Sequence, residues 1–374
     1  MTYYLIPFFF LTFCTLFERA KKFSFFIKNK YIYFLIAIIF ILFIGFRYEV
    51  GCDWVSYKNM ITQYSDVSLA KVIRYTFIEK DPVILNQSGL KSYHVLHEIG
   101  HIFISFISRN IYILNLIYST IFIIPLFYFC YQIKSKYLAL LISYPYYIVV
   151  VGMGPIRQAA CISLLMISII LLSKNKYLWH FLISTFSLSI HQYSIFFNTL
   201  LLTPLFPKFY KDHFSKKFIL LFLIVVIIIS YNLPSYILKT YYYLILPDSI
   251  IPPARGAFFV WLINFLPALI YLRNIQKFNF NRNLNKILIT LSIFEITLLP
   301  LVFLKSVIAY RLLLYLFPSS IYITSYIPNL KYTNISKIIN IKTLIFLSLI
   351  SLVIWLKFAY HASCWIPYRN ILFN

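Results

Sequence analysis

Charge is scarce in this 374-residue chain: Asp, Glu, Lys and Arg together make up 12% of it, and only ten residues are acidic. Hydrophobic side chains reach 61% and aromatic ones 20%, with a mean hydropathy of +0.81. That excess of apolar surface excludes a water-soluble globule, because one aqueous core of this length cannot bury it. Cysteine is also sparse. Cys14, Cys52, Cys130, Cys161 and Cys364 form no C-x-x-C pair, which excludes a zinc ribbon and a dithiol redox motif. Three of them lie in apolar runs, while Cys52 and Cys364 fall in loops of one face and are expected to stay free thiols. No repeat, linker or low-complexity tract divides the chain, so residues 1–374 are read as a single integral membrane domain. No small-residue cleavage site follows the first apolar run, Tyr3 to Phe17, which ends in Glu18-Arg19 and is read as a retained span.

What is present is a series of apolar runs of roughly 15 to 20 residues, close to the length a membrane-crossing helix needs. They predict an all-α, polytopic transmembrane bundle of about 12 spans. The spans are placed near 2–17, 31–46, 111–131, 137–153, 155–173, 177–191, 192–206, 218–233, 257–272, 287–304, 309–328 and 343–360. The formal charge of +24 suggests a nucleic-acid binder, but the Lys and Arg residues sit between apolar runs rather than on one soluble face. They report topology instead. Clusters such as Lys134/Lys136, Lys174/Lys176 and Arg273/Lys277/Arg282/Lys286 fall on one side, the cytoplasmic side by the positive-inside rule. Both termini and the largest polar excursion, 47–110, are then outside.

The chemically unusual residues gather on that outer face. Arg47-Tyr48-Glu49-Val50-Gly51-Cys52-Asp53-Trp54-Val55-Ser56-Tyr57 brings an arginine and two carboxylates to the membrane surface, although Arg47 snorkelling to headgroups is an equally good account of its position. In Gly154-Pro155-Ile156-Arg157-Gln158 a cap glycine and a first-turn proline mark a helix start. Arginine is unfavourable at that end of the dipole unless an anion is shared there. Arg255, before the 257–272 span, and Arg311, in the first turn of the 309–328 span, repeat the arrangement. Such arginines suit a diphosphate, because guanidinium forks match phosphate oxygens. Polar residues from Tyr93 to Ser108 recur at helical spacing and predict an amphipathic helix of roughly 24 Å in the outer interface. Within it, His97-Glu98-Ile99-Gly100-His101 matches the H-E-x-x-H zinc signature. A catalytic zinc needs a third protein ligand, and the candidates His94, His191 and Asp248 belong to no second motif. His191 lies at an outer turn, where an imidazole can move a proton. Glu295, inside a span, is expected to face the bundle interior.

The order Arg47, Gly51, Asp53 and Tyr57, then Glu98-x-Gly100, Ile156-Arg157-Gln158, His191, Arg311 with Tyr315, and Pro367-Tyr368 resembles the EpsG-like family of Wzy-type polymerases of exopolysaccharide and O-antigen. Trp54 stands where that family has tyrosine or phenylalanine, and the H-E-x-x-H match is not a family feature. The resemblance implies a GT-C-like membrane glycosyltransferase of the bacterial cytoplasmic membrane with its site on the periplasmic or extracellular face. It further implies transfer of a glycan from undecaprenyl diphosphate to the non-reducing end of another lipid-linked repeat unit, without metal or other cofactor. A chain-length regulator and a flippase are the implied protein partners, and no nucleic acid is. On this basis Arg157, Arg255 and Arg311, assisted by Arg47, are assigned to the diphosphate. Asp53, Glu98 and His191 are the candidate bases, and Tyr57 and Gln158 are further substrate contacts. The alternatives are a membrane-embedded H-E-x-x-H zinc metalloprotease and a transporter of lipid-linked oligosaccharide.

Overall fold

Asparagine, plentiful between the apolar runs, starts several helices here. Asn29, Asn110, Asn281 and Asn340 each accept, through the side chain, the N–H of a residue two or three positions on. This satisfies donors that the first turn leaves open. The computed structural model describes residues 1–18, 29–65, 98–203, 253–330 and 334–372. The helices are α1 (Thr2–Phe17), α2 (Lys30–Gly45), α3 (Trp54–Ser65), α4 (Ile99–Ser108), α5 (Ile111–Tyr131) and α6 (Lys136–Ser143). A π-helical stretch, Tyr144–Val151, prolongs α6. Then follow α7 (Ile156–Ser173), α8 (Tyr177–Ile190), α9 (Ser194–Leu202), α10 (Ala257–Arg273), α11 (Arg282–Thr297), α12 (Leu299–Leu304), α13 (Ser306–Leu314), α14 (Phe317–Tyr326), α15 (Asn334–Ile338) and α16 (Ile341–Phe358).

Among the described residues, α5, α7 and α16 are long and apolar enough to cross a membrane alone. A fourth crossing is possible by α13 together with Phe317–Asn329, a pair bent by 54°. Shorter apolar helices, α1, α2, α8 and α10 among them, fall where spans are expected. The run 218–233 lies outside the described residues, as do residues 204–206 of the 192–206 run, His94, His97 and Asp248.

Of the expected Tyr93–Ser108 helix, Ile99–Ser108 is described and is helical, and residues 93–97 lie outside the described residues. Three expectations are corrected. The 287–304 span is two helices, broken at Leu298 just before Pro300, and the 309–328 span is broken at Tyr315-Leu316 just before Pro318. A proline inside a helix removes one ladder N–H and crowds the preceding turn. Arg311 therefore ends α13 instead of beginning a span, a position the helix dipole favours. Third, Pro155 is the N-cap of α7 and not its first residue.

At the centre stands α7, with 78% of its apolar window buried, against 22% for α16, whose Phe346, Leu347, Ile354 and Phe358 are exposed. It packs against α5, α8, α9 and α11. Lipid tails are as apolar as leucine, so close packing and polar ties must hold such helices together. Tyrosine hydroxyls supply several ties by donating across the bundle: Tyr4 to the Trp365 carbonyl at 2.8 Å, Tyr144 to Tyr4 at 2.7 Å, Tyr33 to Phe127 at 2.9 Å and Tyr147 to Ala159 at 3.0 Å.

The C-terminal segment closes over the end of α2. Arg47 and Asn370 form an isolated antiparallel bridge, and the Tyr48 N–H donates to the Arg369 carbonyl at 3.0 Å. Cys52 and Cys364 are joined by a disulfide, contrary to the expectation of two free thiols. Their separation of 312 residues conceals the pairing in sequence, and the fold places the two loops side by side.

Candidate active site

The site is built on a glycine. Gly51 has φ +95°, and a Cβ there would stand 1.9 Å from the Met153 carbonyl oxygen. Only glycine tolerates both the backbone geometry and the approach. Its N–H donates to the Cys364 carbonyl at 2.8 Å. The turn thus rests on the Met153-Gly154 backbone that leads into α7, and it carries Asp53 and Tyr57 toward the first turn of that helix.

Arg47, four residues earlier, serves this turn. It is buried, donating from Nε to Val50 at 3.1 Å and from a terminal nitrogen to Ile44 at 2.8 Å, and it lies 5.8 Å from the Trp54 ring centroid. Its hydrogen bonds go to backbone carbonyls on either side of it.

Arg157 presents the opposite case. Its guanidinium pairs with the Glu98 carboxylate and lies 5.8 Å from the centroid of the Tyr57 ring. The arginine side chain is 31% exposed and the glutamate 3%. Glu98 is the N-cap residue of α4, yet its side chain does not cap its own helix; it reaches across to Arg157 and also accepts the Gln192 N–H at 3.3 Å. Gly100 makes the reach possible, since a Cβ there would meet the Ser189 Oγ at 2.4 Å, so α4 can lie directly against the end of α8.

Beside Arg157, Gln158 donates to the Arg311 carbonyl at 2.8 Å, one of the carbonyls near the break after α13. A second, that of Leu313, accepts from Asn264 at 2.9 Å, while the Asn264 Oδ1 accepts the Ser320 hydroxyl at 2.7 Å. Two side-chain amides thus take up carbonyls where the helix is interrupted, as a break inside a bundle requires. Replacing Asn264 by Ala is expected to cost about 1–3 kcal/mol, the penalty for stranding buried partners, seen as a lower melting temperature of the purified protein. Tyr315, within the break, shares a 2.7 Å hydrogen bond with the His191 Nδ1 and stacks on Phe197 at 4.7 Å.

Glu98, Arg157, Gln158, His191, Arg311, Tyr57 and Tyr315 are therefore linked at one end of the bundle. Asp53 joins them through electrostatics: it acts on Tyr57, as do Arg157 and Glu98, and on Tyr310, as does Arg311. Arg255 stands apart, exposed at the rim with its guanidinium 5.9 Å from the Tyr360 ring centroid. Sequence reasoning missed Asn264 and Tyr310, and a lone amide in the apolar run 257–272 was the available signal for the first.

His101 of the H-E-x-x-H segment is engaged by both ring nitrogens, Nδ1 with the Tyr118 hydroxyl at 2.6 Å and Nε2 with the Met60 sulfur at 3.2 Å. No group of three or more His, Cys, Asp or Glu that could hold a metal occurs among the described residues. Glu295 is fully buried and accepts the Ser319 hydroxyl at 2.5 Å.

The EpsG family profile matches residues 30–370, nearly the whole chain. No curated protein and no solved structure matches it.

Proposed function

This chain belongs to the EpsG family of Wzy-type exopolysaccharide polymerases, and from that premise we propose that it lengthens a bacterial surface polysaccharide one transfer at a time. The growing glycan leaves undecaprenyl diphosphate and joins the non-reducing end of another lipid-linked repeat unit. The observation that carries this reading is the meeting of the Arg157–Glu98 pair with the Gln158–Arg311 contact and with His191 at one end of the bundle. Such a cluster sets the Arg157 guanidinium, for a departing diphosphate, beside groups able to take a proton, and the Gln158 contact with the Arg311 carbonyl brings the Arg311 backbone next to it. In the transfer, the acceptor hydroxyl oxygen bonds to the anomeric carbon as the bond from that carbon to the diphosphate oxygen breaks. The electron pair leaves on the diphosphate, where preorganised guanidinium groups stabilise it. The hydroxyl proton passes to a side-chain base of the cluster, and neither metal nor nucleotide is required.

Arg157 and Arg311 are the diphosphate-binding arginines in this proposal, and Arg255 at the rim meets the lipid-linked substrate as it arrives. Arg47 is a positioning residue for the Gly51 turn. The protein occupies the cytoplasmic membrane as a single domain of about 12 spans, of GT-C-like type, working beside a flippase and a chain-length regulator. A disulfide at the end of the bundle that holds Arg157 supports placing that end on the oxidising, outer side. A gel of surface polysaccharide from a strain lacking the protein is the test. Long chains are expected to vanish while a one-unit band persists. Trapping of units on the cytoplasmic leaflet would instead mark a flippase, and unchanged long chains would remove the protein from polymerisation.

A further inference from the structure

We infer that the Glu98 carboxylate is an internal stand-in for the substrate's diphosphate, and that the substrate, by taking Arg157, releases Glu98 to act as the catalytic base. The inference rests on the reading of Arg157 as a diphosphate site and adds an order of events to it.

Three observations carry it. Arg157 is 31% exposed while its partner is 3% exposed, so an anion arriving from outside reaches the guanidinium first and finds the carboxylate behind it. The pair is made by a terminal nitrogen of the guanidinium, part of the fork that bidentate phosphate recognition uses. Carboxylate and diphosphate therefore compete for the same donors. Finally, the two oxygens of Glu98 have separate partners: Oε2 faces Arg157, and Oε1 accepts the Gln192 N–H at 3.3 Å. Loss of the arginine frees Oε2 alone, and the carboxylate stays anchored next to His191.

The exchange times the chemistry. Before the donor arrives, Oε2 of Glu98 is occupied by the Arg157 guanidinium and is closed to an acceptor hydroxyl. Once the diphosphate holds Arg157, a buried carboxylate is left without its cation, and the proton of the acceptor hydroxyl cancels that charge. The acceptor oxygen bonds to the anomeric carbon, the carbon–diphosphate bond breaks with its electron pair on the diphosphate, and Glu98 Oε2 holds the proton. When the lipid diphosphate departs, Glu98 gives the proton to water and returns to Arg157. The competing account is a permanent strut in which Glu98 merely holds α4 against α7.

Titration of the full-length protein in lipid nanodiscs with inorganic diphosphate separates the two. Removing the competing charge in Glu98→Gln is expected to tighten diphosphate binding by about tenfold, a gain of about 1.4 kcal/mol, while transfer of lipid-linked units is lost. Arg157→Ala is expected to lose diphosphate binding whether or not Glu98 is present. If Glu98→Gln binds diphosphate no more tightly than the native protein while Arg157→Ala abolishes binding, the exchange is overturned and the diphosphate site stands. If Arg157→Ala binds as well as the native protein, the site assignment itself falls. Should Glu98→Gln fail to fold, Glu98→Asp carries the same comparison, because its carboxylate is one methylene too short to hold Arg157: tighter binding supports the exchange and unchanged binding overturns it.

Discussion

Replacing Arg157 by lysine is expected to lower polymer formation by at least about a hundredfold, the scale of losing one preorganised donor to a developing oxyanion. Lysine keeps the positive charge but presents a point charge on a flexible stem in place of a planar fork. It can hold Glu98 or a phosphate oxygen, but not the two diphosphate oxygens that a guanidinium grips together. Single repeat units should remain on the lipid carrier, because export precedes this step. The measurement is the chain-length ladder of the variant strain, set against purified protein that melts at the native temperature. A native ladder from Arg157→Lys would show that the fork is not used.

The largest effect on folding is expected at Gly51. Alanine there introduces a Cβ that would stand 1.9 Å from the Met153 carbonyl, at a φ of +95° that L-residues rarely adopt. The opposing atom belongs to the backbone, so no side-chain rotation relieves the clash, and the turn must lift from Met153-Gly154. A loss of about 4 kcal/mol or more is expected, at the exceptional end of single substitutions. Asp53 and Tyr57 would move away from Arg157 with it. Thermal unfolding of Gly51→Ala in detergent checks the first consequence, and the ladder checks the second. A melting temperature within a degree or two of the native one would mean that the turn is looser than its contacts imply.

Much of the architecture was legible because the bilayer imposes it. A run of apolar residues must be helical in hydrocarbon, where an unpaired backbone group has no water to bond to. The positions of α1, α2, α5, α7, α8, α10 and α16 therefore follow from hydropathy alone. Helix breaks were less legible. Pro300 and Pro318 stand in runs that are apolar on average, and an average over an apolar run does not register one missing N–H. In the site, the value of Arg157 could be read from its place beside Pro155, where an arginine opposes the helix dipole. Arg47 could not be separated from it, since both are arginines in loops at a membrane surface. Only the bonds of Arg47 to the Val50 and Ile44 carbonyls distinguish a cation that organises a turn from one that meets an external anion.

By itself, then, the sequence determined that this protein lives in a membrane as helices and that its unusual polar residues lie between the apolar runs. Both follow from local properties, the transfer preference of each side chain and the helical period. Tertiary structure decided what pairs with what: Glu98 with Arg157 across 59 positions, His191 with Tyr315 across 124, and Cys52 with Cys364 across 312. Contacts between distant segments depend on how helices pack and where they break. Packing follows the shapes of the two faces that meet, which no single run of residues contains.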